Sequence, residues 1–315
     1  MDMGKTVSAV ARVPVLEGKP WHITGYPDLG ELADPAWDAD HEVVDHAIWQ
    51  SNDRKWHVWA CVRGTRVGRV LYGWQSDRLE DSYWEPVGIT LRVDRSCGES
   101  INDWSGDEWI QSPFVLHQPG RYFMFYGGHN TELGECQICL ATSTDGTQFQ
   151  RYQNPDLSVK GFSRVFVGPG EARDPMVLRA GSQWICYYCG HETGQRRPCK
   201  VFARTSDDLL HWSPPRAVSW GGFASGTGFW STECPFVVYR EGYYYLFRTS
   251  EYTAPARTHV YRSLDPFNFG LGDDSKLITT LRLAAPEIVQ VDGQDYVSTV
   301  EDLKGGIQLF KLNWI

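Results

Sequence analysis

The chain carries five copies of one pattern, and this repetition limits the folds that are open to it. Each copy has a small or acidic residue, an apolar strand, a polar turn that usually contains glycine, and an aromatic strand. A period of this width with several strands in each unit is typical of propeller blades. The units begin near residues 43, 110, 172, 232 and 285.

A second repeat supports the first. After each of the first four aromatic strands comes a third strand that runs into Ser and Asp followed by an aromatic residue, as in "ATSTDGTQFQRY" from Ala141 and "ARTSDDLLHW" from Ala203. These Ser and Asp side chains are expected to close turns by bonding to nearby backbone groups. The sequence therefore predicts an all-β protein, a single-domain five-bladed β-propeller with four-stranded blades over residues 1–315.

The ends of the chain are predicted to close the ring. The last unit offers only three obvious strands, ending at "GIQLFKLNWI". A strand near residues 21–28, "WHITGYPDL", is therefore expected to supply the missing outer strand of that blade. Such closure would remove the exposed edges that an open sheet leaves.

Charge and hydropathy narrow the possible partners. The net charge of -9, with Lys and Arg scattered, argues against a phosphate-tracking surface, so nucleic acid is not expected as a partner. No apolar run reaches the length of about 18 residues that a membrane span needs. Met1 to Pro20 lacks the apolar middle of a signal peptide, which predicts a cytoplasmic protein unless an export signal was trimmed. The sequence leaves the oligomeric state open.

The cysteines do not indicate a metal site. Eight are present, and four of them form two CxxC pairs, Cys136/Cys139 and Cys186/Cys189. Two such pairs can supply the four thiolates of a zinc site. Both pairs, however, read as strand interiors, where residues three apart point to opposite faces of the sheet. We therefore expect buried free thiols, which suit a reducing compartment, and no metal or cofactor.

Acidic residues recur where the inner strands of the blades are predicted to begin. In a propeller these strands start at one face of the central channel, so their first residues should converge on the axis. The residues just beyond the second strands should rim the same mouth. The predicted axial residues are Asp45, Ser112, Asp174 and Glu233, which with Pro286 of the fifth unit are spaced 67, 62, 59 and 53 residues apart, and the predicted rim residues are His129, His191 and Glu251.

Three acids around one pocket suit glycoside hydrolysis. Like charges held close in a partly dry pocket raise at least one pKa. Hydrolysis needs one carboxyl that stays protonated to donate to the leaving oxygen and another that is ionised as nucleophile or base. The alternative is structural, with each acid capping its own strand or pairing with an arginine such as Arg173.

Two short motifs resemble those of glycoside hydrolase family 32, the invertase and fructanase group. They are "ARDPMV", which contains Asp174, and "TECPFV", which contains Glu233, with "RTSDDLLHW" between them. The resemblance implies that Asp174 stabilises the transition state and binds sugar hydroxyls, with Arg173 beside it. It also implies that Glu233 is the general acid/base, and that the reaction retains anomeric configuration. Asp45 would take the place of the nucleophile.

This chain also departs from the pattern of family 32. That family reads Asn-Asp-Pro-Asn-Gly around its nucleophile, whereas this chain reads "VVDHAIW", so Asp45 is placed by the blade repeat alone. The C-terminal β-sandwich of family 32 has no counterpart here. Glycoside hydrolase family 43, which includes arabinofuranosidases and xylosidases, is similar in architecture and typically inverts configuration.

Several aromatic residues and histidines flank the predicted mouth. Tryptophans there could stack on sugar rings, although most of the 14 in this chain are expected to fill the core. Cys234 is expected to pack as a small apolar residue. His46, next to Asp45, could bind a hydroxyl or point between blades. The candidate substrate-binding residues are His46, Trp49, Trp109, Ser112, His129, Arg173, His191, Trp230 and Glu251, and Trp104 also flanks the predicted mouth.

The leading functional hypothesis is a glycosidase with Glu233 as the acid and Asp45 as the nucleophile or base, with retention favoured over inversion. Its expected substrate is a furanosyl unit, fructofuranosyl or arabinofuranosyl, of an oligo- or polysaccharide. Two alternatives stay open. One is a propeller that binds carbohydrate without catalysis, because blade folds host many functions. The other is a glycoside phosphorylase, which needs a cationic pocket for phosphate near the acid, for which Arg173, Arg248 and the pair Arg196 and Arg197 are the available candidates.

Overall fold

Antiparallel β-strands make up nearly all of the regular structure, and they are arranged as the five blades of a β-propeller. The structure, a computed structural model, describes residues 10–34, 41–99, 107–129, 136–155, 162–195, 197–300 and 302–315. In these ranges the helical structure is limited to two 3₁₀ turns, Gly30–Leu32 and Arg95–Cys97. No helix in the described ranges is long and apolar enough to cross a membrane.

The first two blades are joined through a short parallel pairing of β4 with β6, at Gly68–Glu108 and Arg69–Trp109. In the second blade β9 and β10 both pair with β8, so together they occupy the outermost position. Blade 1 comprises β2 (Glu42–Gln50), β3 (Trp56–Thr65), β4 (Gly68–Ser76) and β5 (Glu85–Leu91); blade 2 comprises β6 (Glu108–Gln118), β7 (Arg121–Gly128), β8 (Gln137–Ser143), β9 (Gln150–Arg151) and β10 (Arg164–Val167).

The other three blades are separate four-stranded sheets. Aromatic and β-branched residues dominate their central strands, as expected for strands covered on both faces. Blade 3 comprises β11 (Arg173–Ala180), β12 (Gln183–Gly190), β13 (Lys200–Ser206) and β14 (Arg216–Trp220); blade 4 comprises β15 (Glu233–Arg240), β16 (Tyr243–Glu251), β17 (Arg257–Ser263) and β18 (Leu277–Leu281); blade 5 comprises β19 (Ile288–Val291), β20 (Gln294–Val300), β21 (Ile307–Trp314) and the N-terminal β1 (Pro14–His22).

The ring closes by pairing the two ends of the chain. Strand β1 pairs antiparallel with β21, from Pro14 opposite Trp314 to His22 opposite Gln308. The N-terminal strand therefore has the predicted role, but it lies earlier than the predicted span of residues 21–28. The reason is that the apolar residues of 21–28 leave the strand after His22, where Ile23 and Leu29 enter the core instead.

Each blade has one residue with left-handed backbone where its inner strand begins. In the first four blades the pairing of the inner strand with its neighbour shifts at this residue, so the extra residue forms a β-bulge. Positive φ is costly for residues other than glycine and is kept where surrounding structure enforces it. The five residues are Asp45 (φ 27°), Ser112 (φ 53°), Asp174 (φ 56°), Cys234 (φ 46°) and Ala285 (φ 50°), and we call them the axial ring.

Proline follows the ring residue in four of the five blades, at Pro113, Pro175, Pro235 and Pro286. Proline has no N–H for a sheet ladder and so is tolerated on edge strands. The inner strand is the edge of its blade and faces the channel, which makes this position suitable. Below the ring the channel is filled, because Phe114 of blade 2 and Phe236 of blade 4 lie across the axis with ring centroids 6.4 Å apart.

Candidate active site

The axial ring brings two carboxylates, a hydroxyl and a thiol together at one end of the channel. Oxygens of Asp45 and Asp174 and the sulfur of Cys234 lie within 4.8 Å of one another. The hydroxyl of Ser112 lies between the two carboxylates, 3.1 Å from Asp45 Oδ2 and 2.6 Å from Asp174 Oδ1. The bulges explain this convergence, because each turns one side chain of an inner strand toward the axis.

Asp174 is the better satisfied of the two carboxylates. Besides the Ser112 hydroxyl, its Oδ2 atom accepts a hydrogen bond from the Cys189 thiol at 2.6 Å and another from the backbone N–H of Cys234 at 3.1 Å. The residue is buried, with 7% of its surface exposed. Donors from blades 2, 3 and 4 therefore fix one side chain.

Asp45 has fewer partners and a raised pKa. Its Oδ1 atom lies 3.3 Å from the Cys234 thiol, and Oδ2 faces Ser112. Burial is the main cause that raises the pKa of Asp45, and the negative charge of Asp174 raises it further. The two buried carboxylates thus form a pair that contacts one shared hydroxyl, that of Ser112.

Glu233 is held by an arginine at the start of the neighbouring blade. Arg173 Nε donates to Glu233 Oε1 at 2.9 Å, and Arg173 Nη2 donates to the same oxygen. Burial, with 5% of the residue exposed, is the main cause that raises the pKa of Glu233 to about 8, although Arg173 acts to lower it. Because Oε1 receives both N–H groups, Oε2 is the oxygen available to carry a proton.

Glu233 lies one residue before the ring position of its blade. The predicted blade repeat placed it in register with Asp45, Ser112 and Asp174, whereas the bulge residue of blade 4 is Cys234. Glu233 is instead in register with Arg173, because each is the first residue of its inner strand and each pairs with the second strand before the bulge. This shared register explains why the two side chains meet. The fifth ring residue is likewise Ala285 and not Pro286.

Cys234 makes polar contacts and is not simply an apolar filler. Its sulfur lies 3.3 Å from Asp45 Oδ1 and 3.1 Å from the hydroxyl of Tyr252. Burial raises the pKa of this thiol well above its usual value, so the group remains a neutral donor.

A cavity of about 290 Å³, including its opening, lies on the axis at the ring. Glu233 is not among the lining residues, since it is turned onto Arg173, but its neighbour Cys234 is. The cavity is lined by Asp45, His46, Ser112, Pro113, Asp174, Pro175, Cys234, Pro235, Ala285, Pro286 and Glu287.

The three predicted histidines are all buried, but they differ in what they contact. His46 lines the cavity, and its Nε2 atom lies 2.7 Å from the Ser298 hydroxyl. Burial lowers the pKa of both His46 and His129 to about 3, so both rings are neutral near pH 7. His191 is buried and stacks on Phe229 with centroids 4.7 Å apart.

The tryptophans differ in what they could contact. Trp49 is 4% exposed, donates from Nε1 to Gly146 O at 2.8 Å, and packs against Trp59 and His57. It faces a core cluster between blades 1 and 2 near the far end of β2, so the structure does not bring it to the cavity. Trp230 is 59% exposed and lies three residues before Glu233.

Trp109 is packed between charged and aromatic neighbours. The Arg69 guanidinium lies 3.7 Å from the centroid of the Trp109 indole, and the His129 imidazole stacks on the indole with centroids 4.2 Å apart. Its Nε1 atom donates to Gln111 Oε1 at 2.8 Å. The indole is therefore packed against two neighbours, and it is not among the residues that line the cavity.

Two predicted residues remain. Glu251 ends β16 and accepts hydrogen bonds at Oε1 from the backbone and side chain of Thr253, at 3.2 and 2.7 Å, so it lies at the rim and not in the cavity. Trp104 falls outside the described residues.

The sequence interpretation missed several groups that contact the site. Cys189, on β12, lies opposite Arg173 in the sheet and reaches Asp174. Tyr252 reaches Cys234, and Phe229 lies under the Arg173 guanidinium at 5.1 Å. The register of β11 with β12 was a usable signal, because Cys186 and Cys189 point to opposite faces and only one of them can lie beside Asp174.

The ring could in principle hold a cation between Asp45, Asp174 and Cys234. The Ser112 hydroxyl, however, already bonds both carboxylates, and the Cys189 thiol and the Cys234 N–H fill the other positions on Asp174. These donors compensate the charge that a cation would otherwise neutralise.

Comparison with known proteins gives a consistent family. The family model described as "Glycosyl hydrolases family 43" matches residues 83–301. Among curated proteins, a probable sucrose-6-phosphate hydrolase of Psychromonas ingrahamii is 29% identical over 173 residues, which is 52% of this chain and 26% of that protein. The chain therefore matches about a quarter of the length of this relative.

Solved structures share the fold at low identity. A thermostable family-43 glycoside hydrolase has a TM-score of 0.62 and 16% identity, with 87% of this chain and 89% of that chain covered. An exo-1,5-α-L-arabinanase from a bovine ruminal metagenomic library has a TM-score of 0.59, 17% identity and coverage of 87% and 94%. A family 32 β-fructofuranosidase of Bombyx mori has a TM-score of 0.58, 16% identity and coverage of 94% and 61%.

Proposed function

The chain belongs to glycosyl hydrolases family 43, and from this membership and the ring geometry we propose that it hydrolyses the bond to a terminal furanosyl unit. Glu233 is the general acid, Asp45 acts on the other side of the scissile bond, and Asp174 orients the sugar and stabilises the transition state. One contrast carries the proposal. Glu233 is a buried carboxyl with a pKa raised to about 8, and nearby Asp45 and Asp174 form a pair of carboxylates in contact with the Ser112 hydroxyl.

The environment of Glu233 suits proton donation. A general acid must be protonated at the working pH, and burial provides for this. Arg173 holds Oε1 and leaves Oε2 to carry the proton. When the proton leaves, Arg173 stabilises the resulting carboxylate, because a charged partner strengthens such a hydrogen bond.

Asp45 and Asp174 are suited to the other half of the reaction. The hydrogen bonds to Asp174 hold it as a fixed acceptor for sugar hydroxyls. Asp45 has only side-chain donors, so its oxygens can exchange them for a water or for the sugar. We propose inversion with Asp45 as the general base, since family 43 enzymes typically invert. The resemblance to family 32 had implied retention.

A terminal unit is proposed because the site is closed at one end: below the ring the channel is filled by Phe114 and Phe236, so a sugar chain cannot run through it. Trp230, exposed beside Glu233, is proposed to contact the leaving group, because the acid protonates the oxygen on that side. A furanosyl unit is supported by the names of two similar proteins, the arabinanase and the fructofuranosidase.

The phosphorylase alternative has little support in the described residues. Arg173 is engaged by Glu233. Arg248 is fully buried and donates from Nη2 to Gly221 O at 2.8 Å, and Arg197 is exposed. Arg196 lies outside the described residues.

Hydrolysis of a panel of glycosides tests the proposal. The panel contains nitrophenyl furanosides and pyranosides, sucrose, sucrose 6-phosphate, inulin and arabinan. We expect turnover of one furanoside that falls by several orders of magnitude in Glu233→Gln and in Asp45→Asn. Exposed carboxyl groups at the far turns provide matched controls, Glu241→Gln and Asp53→Asn, which should retain full activity.

Two outcomes would contradict the proposal. Binding of a panel sugar by the folded wild-type protein without turnover would support a carbohydrate-binding propeller. Activity that survives both Glu233→Gln and Asp45→Asn would place the catalytic groups elsewhere.

A further inference from the structure

Asp174 is surrounded by donors from three blades, and one of them is a thiol. Ser112 holds Oδ1, while the backbone N–H of Cys234 and the thiol of Cys189 share Oδ2. The first two donors are part of the axial ring itself. Cys189 is not, because it lies on the second strand of the same blade as Asp174.

The position of Cys189 is set by the sheet. It lies directly opposite Arg173 in the pairing of β11 with β12, and the bulge at Asp174 brings the carboxylate over it. Its sulfur lies 2.6 Å from Asp174 Oδ2 and 3.6 Å from Arg173 O. The residue is fully buried, so no water can replace the thiol without rearrangement.

The thiol remains a proton donor in this setting. Burial is the main cause that raises the pKa of Cys189 well above its usual value, and a hydrogen bond with Cys199 and the charge of Asp174 raise it further. A neutral S–H group next to a carboxylate can only donate, since the carboxylate is the acceptor.

We propose that Cys189 is a positioning residue that fixes the orientation of the Asp174 carboxylate by donating a hydrogen bond to Oδ2. This inference deepens the proposed function, on which it rests for its catalytic meaning. Asp174 faces Asp45, and both its charge and its orientation bear on that neighbour. Cys189 therefore acts through Asp174 and does not touch the substrate.

Several titratable groups face Asp174, and their charges also affect its ionisation when one donor is lost. The negative charge of Asp174 acts on Asp45, Glu233, Cys234, Tyr252 and the Arg173 cation, and Cys199 forms a hydrogen bond with Cys189. Removing the thiol leaves these groups in place and removes one hydrogen bond to the charged form of Asp174. The charged form then becomes less stable.

The variants are chosen to keep or remove the donor at this position. Cys189→Ser keeps a donor at this position, whereas Cys189→Val and the smaller Cys189→Ala remove it. Cys186→Val is the control, because Cys186 is a fully buried thiol of the same strand that faces away from Asp174. Circular dichroism and thermal melting check that each variant is folded, and Ala serves where Val is not accommodated.

The first measurement does not need activity. Carboxyl carbons of aspartate are labelled with ¹³C, assigned with Asp174→Asn and Asp45→Asn, and titrated by NMR. A hydrogen bond to a charged group contributes about 1.5 to 3 kcal/mol, which corresponds to about one to two pKa units. We expect the lower apparent pKa of the Asp45 and Asp174 pair to rise by about one unit or more in Cys189→Val or Ala. It should not change in Cys189→Ser or Cys186→Val.

The second measurement links the thiol to turnover. On the best substrate, kcat should fall about tenfold or more in Cys189→Val or Ala and recover in Cys189→Ser. The acid limb of the pH profile should move upward in the same variants. Any of three results would overturn the inference. These are an unchanged titration in Cys189→Val, an equal shift in Cys186→Val, and a titration in Cys189→Ser that differs from wild type. A protein that turns over no glycoside but shows the NMR shift would retain the positioning role and lose only the proposed function.

Discussion

The hydroxyl of Ser112 lies 3.1 Å from Asp45 Oδ2 and 2.6 Å from Asp174 Oδ1, although a hydroxyl has only one proton to give. The shorter contact makes Asp174 the recipient. Ser112 is therefore the group that contacts both carboxylates and holds Asp174, while Asp45 keeps an oxygen that can accept a proton from water.

Replacing Ser112 by Ala removes the hydroxyl that contacts both Asp45 and Asp174. The variant loses the hydrogen bond to the charged Asp174, which is worth about 1.5 to 3 kcal/mol. We expect kcat/KM to fall about tenfold to hundredfold and the acid limb of its pH profile to move to higher pH. Ser112→Gly, which also removes the hydroxyl but suits the left-handed backbone (φ 53°), should move the acid limb in the same way and controls for backbone strain. An unchanged acid limb in Ser112→Ala would argue against the bridge.

The alkaline limb of the pH profile should report Glu233. Its pKa is raised to about 8, mainly by burial, and a general acid is active only while protonated. We therefore expect kcat/KM to be level below this value and to decline above about pH 8. Residual activity of Glu233→Gln, which has no such proton, should lack this decline. The same decline in both proteins would assign it to another group.

Stability should depend on pH through the same carboxyl. The pKa of Glu233 is about 8 in the folded chain against an ordinary value of 4.5, so between these values the folded state binds more protons than the unfolded state. The free energy of unfolding therefore falls as pH rises through this window. We expect the melting temperature of Glu233→Gln, relative to wild type, to rise from pH 5 to pH 8 and then to level off.

Glu241→Gln provides the control for this melting series. Glu241 is exposed, and its pKa is lowered by Arg12, so its charge does not change over the window from pH 5 to pH 8. Its melting temperature relative to wild type should be constant there. A constant offset for Glu233→Gln as well would mean that Glu233 is ionised in the folded chain throughout.

Two tryptophans should respond in opposite ways. Trp49 is buried among aromatic rings, and truncation of such a side chain costs about 3 to 5 kcal/mol. Trp230 is mostly exposed, and surface changes of this kind usually stay within about 0.5 kcal/mol. We expect urea unfolding to show a large loss in Trp49→Ala and little in Trp230→Ala. The KM for the best substrate should rise in Trp230→Ala, and a normal KM there would remove Trp230 from the site.

The repeat in the sequence was sufficient for the fold because strand alternation and turn residues are local signals. Five blades and the closing role of the N-terminal strand follow from them, and they are confirmed. The span of that strand was less accurate, because Trp21 and His22 continue the apolar pattern of both β1 and the segment after it. Apolar pattern alone does not say where a strand ends.

The site was harder to predict because it depends on one-residue offsets. Glu233 and Asp174 look equivalent in the repeat, yet the bulge falls on Cys234 in blade 4 and on Asp174 in blade 3. The proline after each bulge, at Pro175 and Pro235, was the available signal. The contact of Cys189 with Asp174, between neighbouring strands of blade 3, depends on the bulge at Asp174 and on backbone geometry that sequence spacing does not reveal.

The proton-donating role of Glu233 is tested most directly by how activity depends on the leaving group. An acid matters most when the departing oxygen is basic, and proton transfer contributes about 100- to 10,000-fold. The measurement compares kcat/KM of wild type and Glu233→Gln on an alkyl furanoside and on the dinitrophenyl glycoside of the same sugar. We predict a loss of that size on the alkyl substrate and a small loss on the dinitrophenyl substrate. Equal losses on both substrates would contradict the assignment of Glu233 as the general acid.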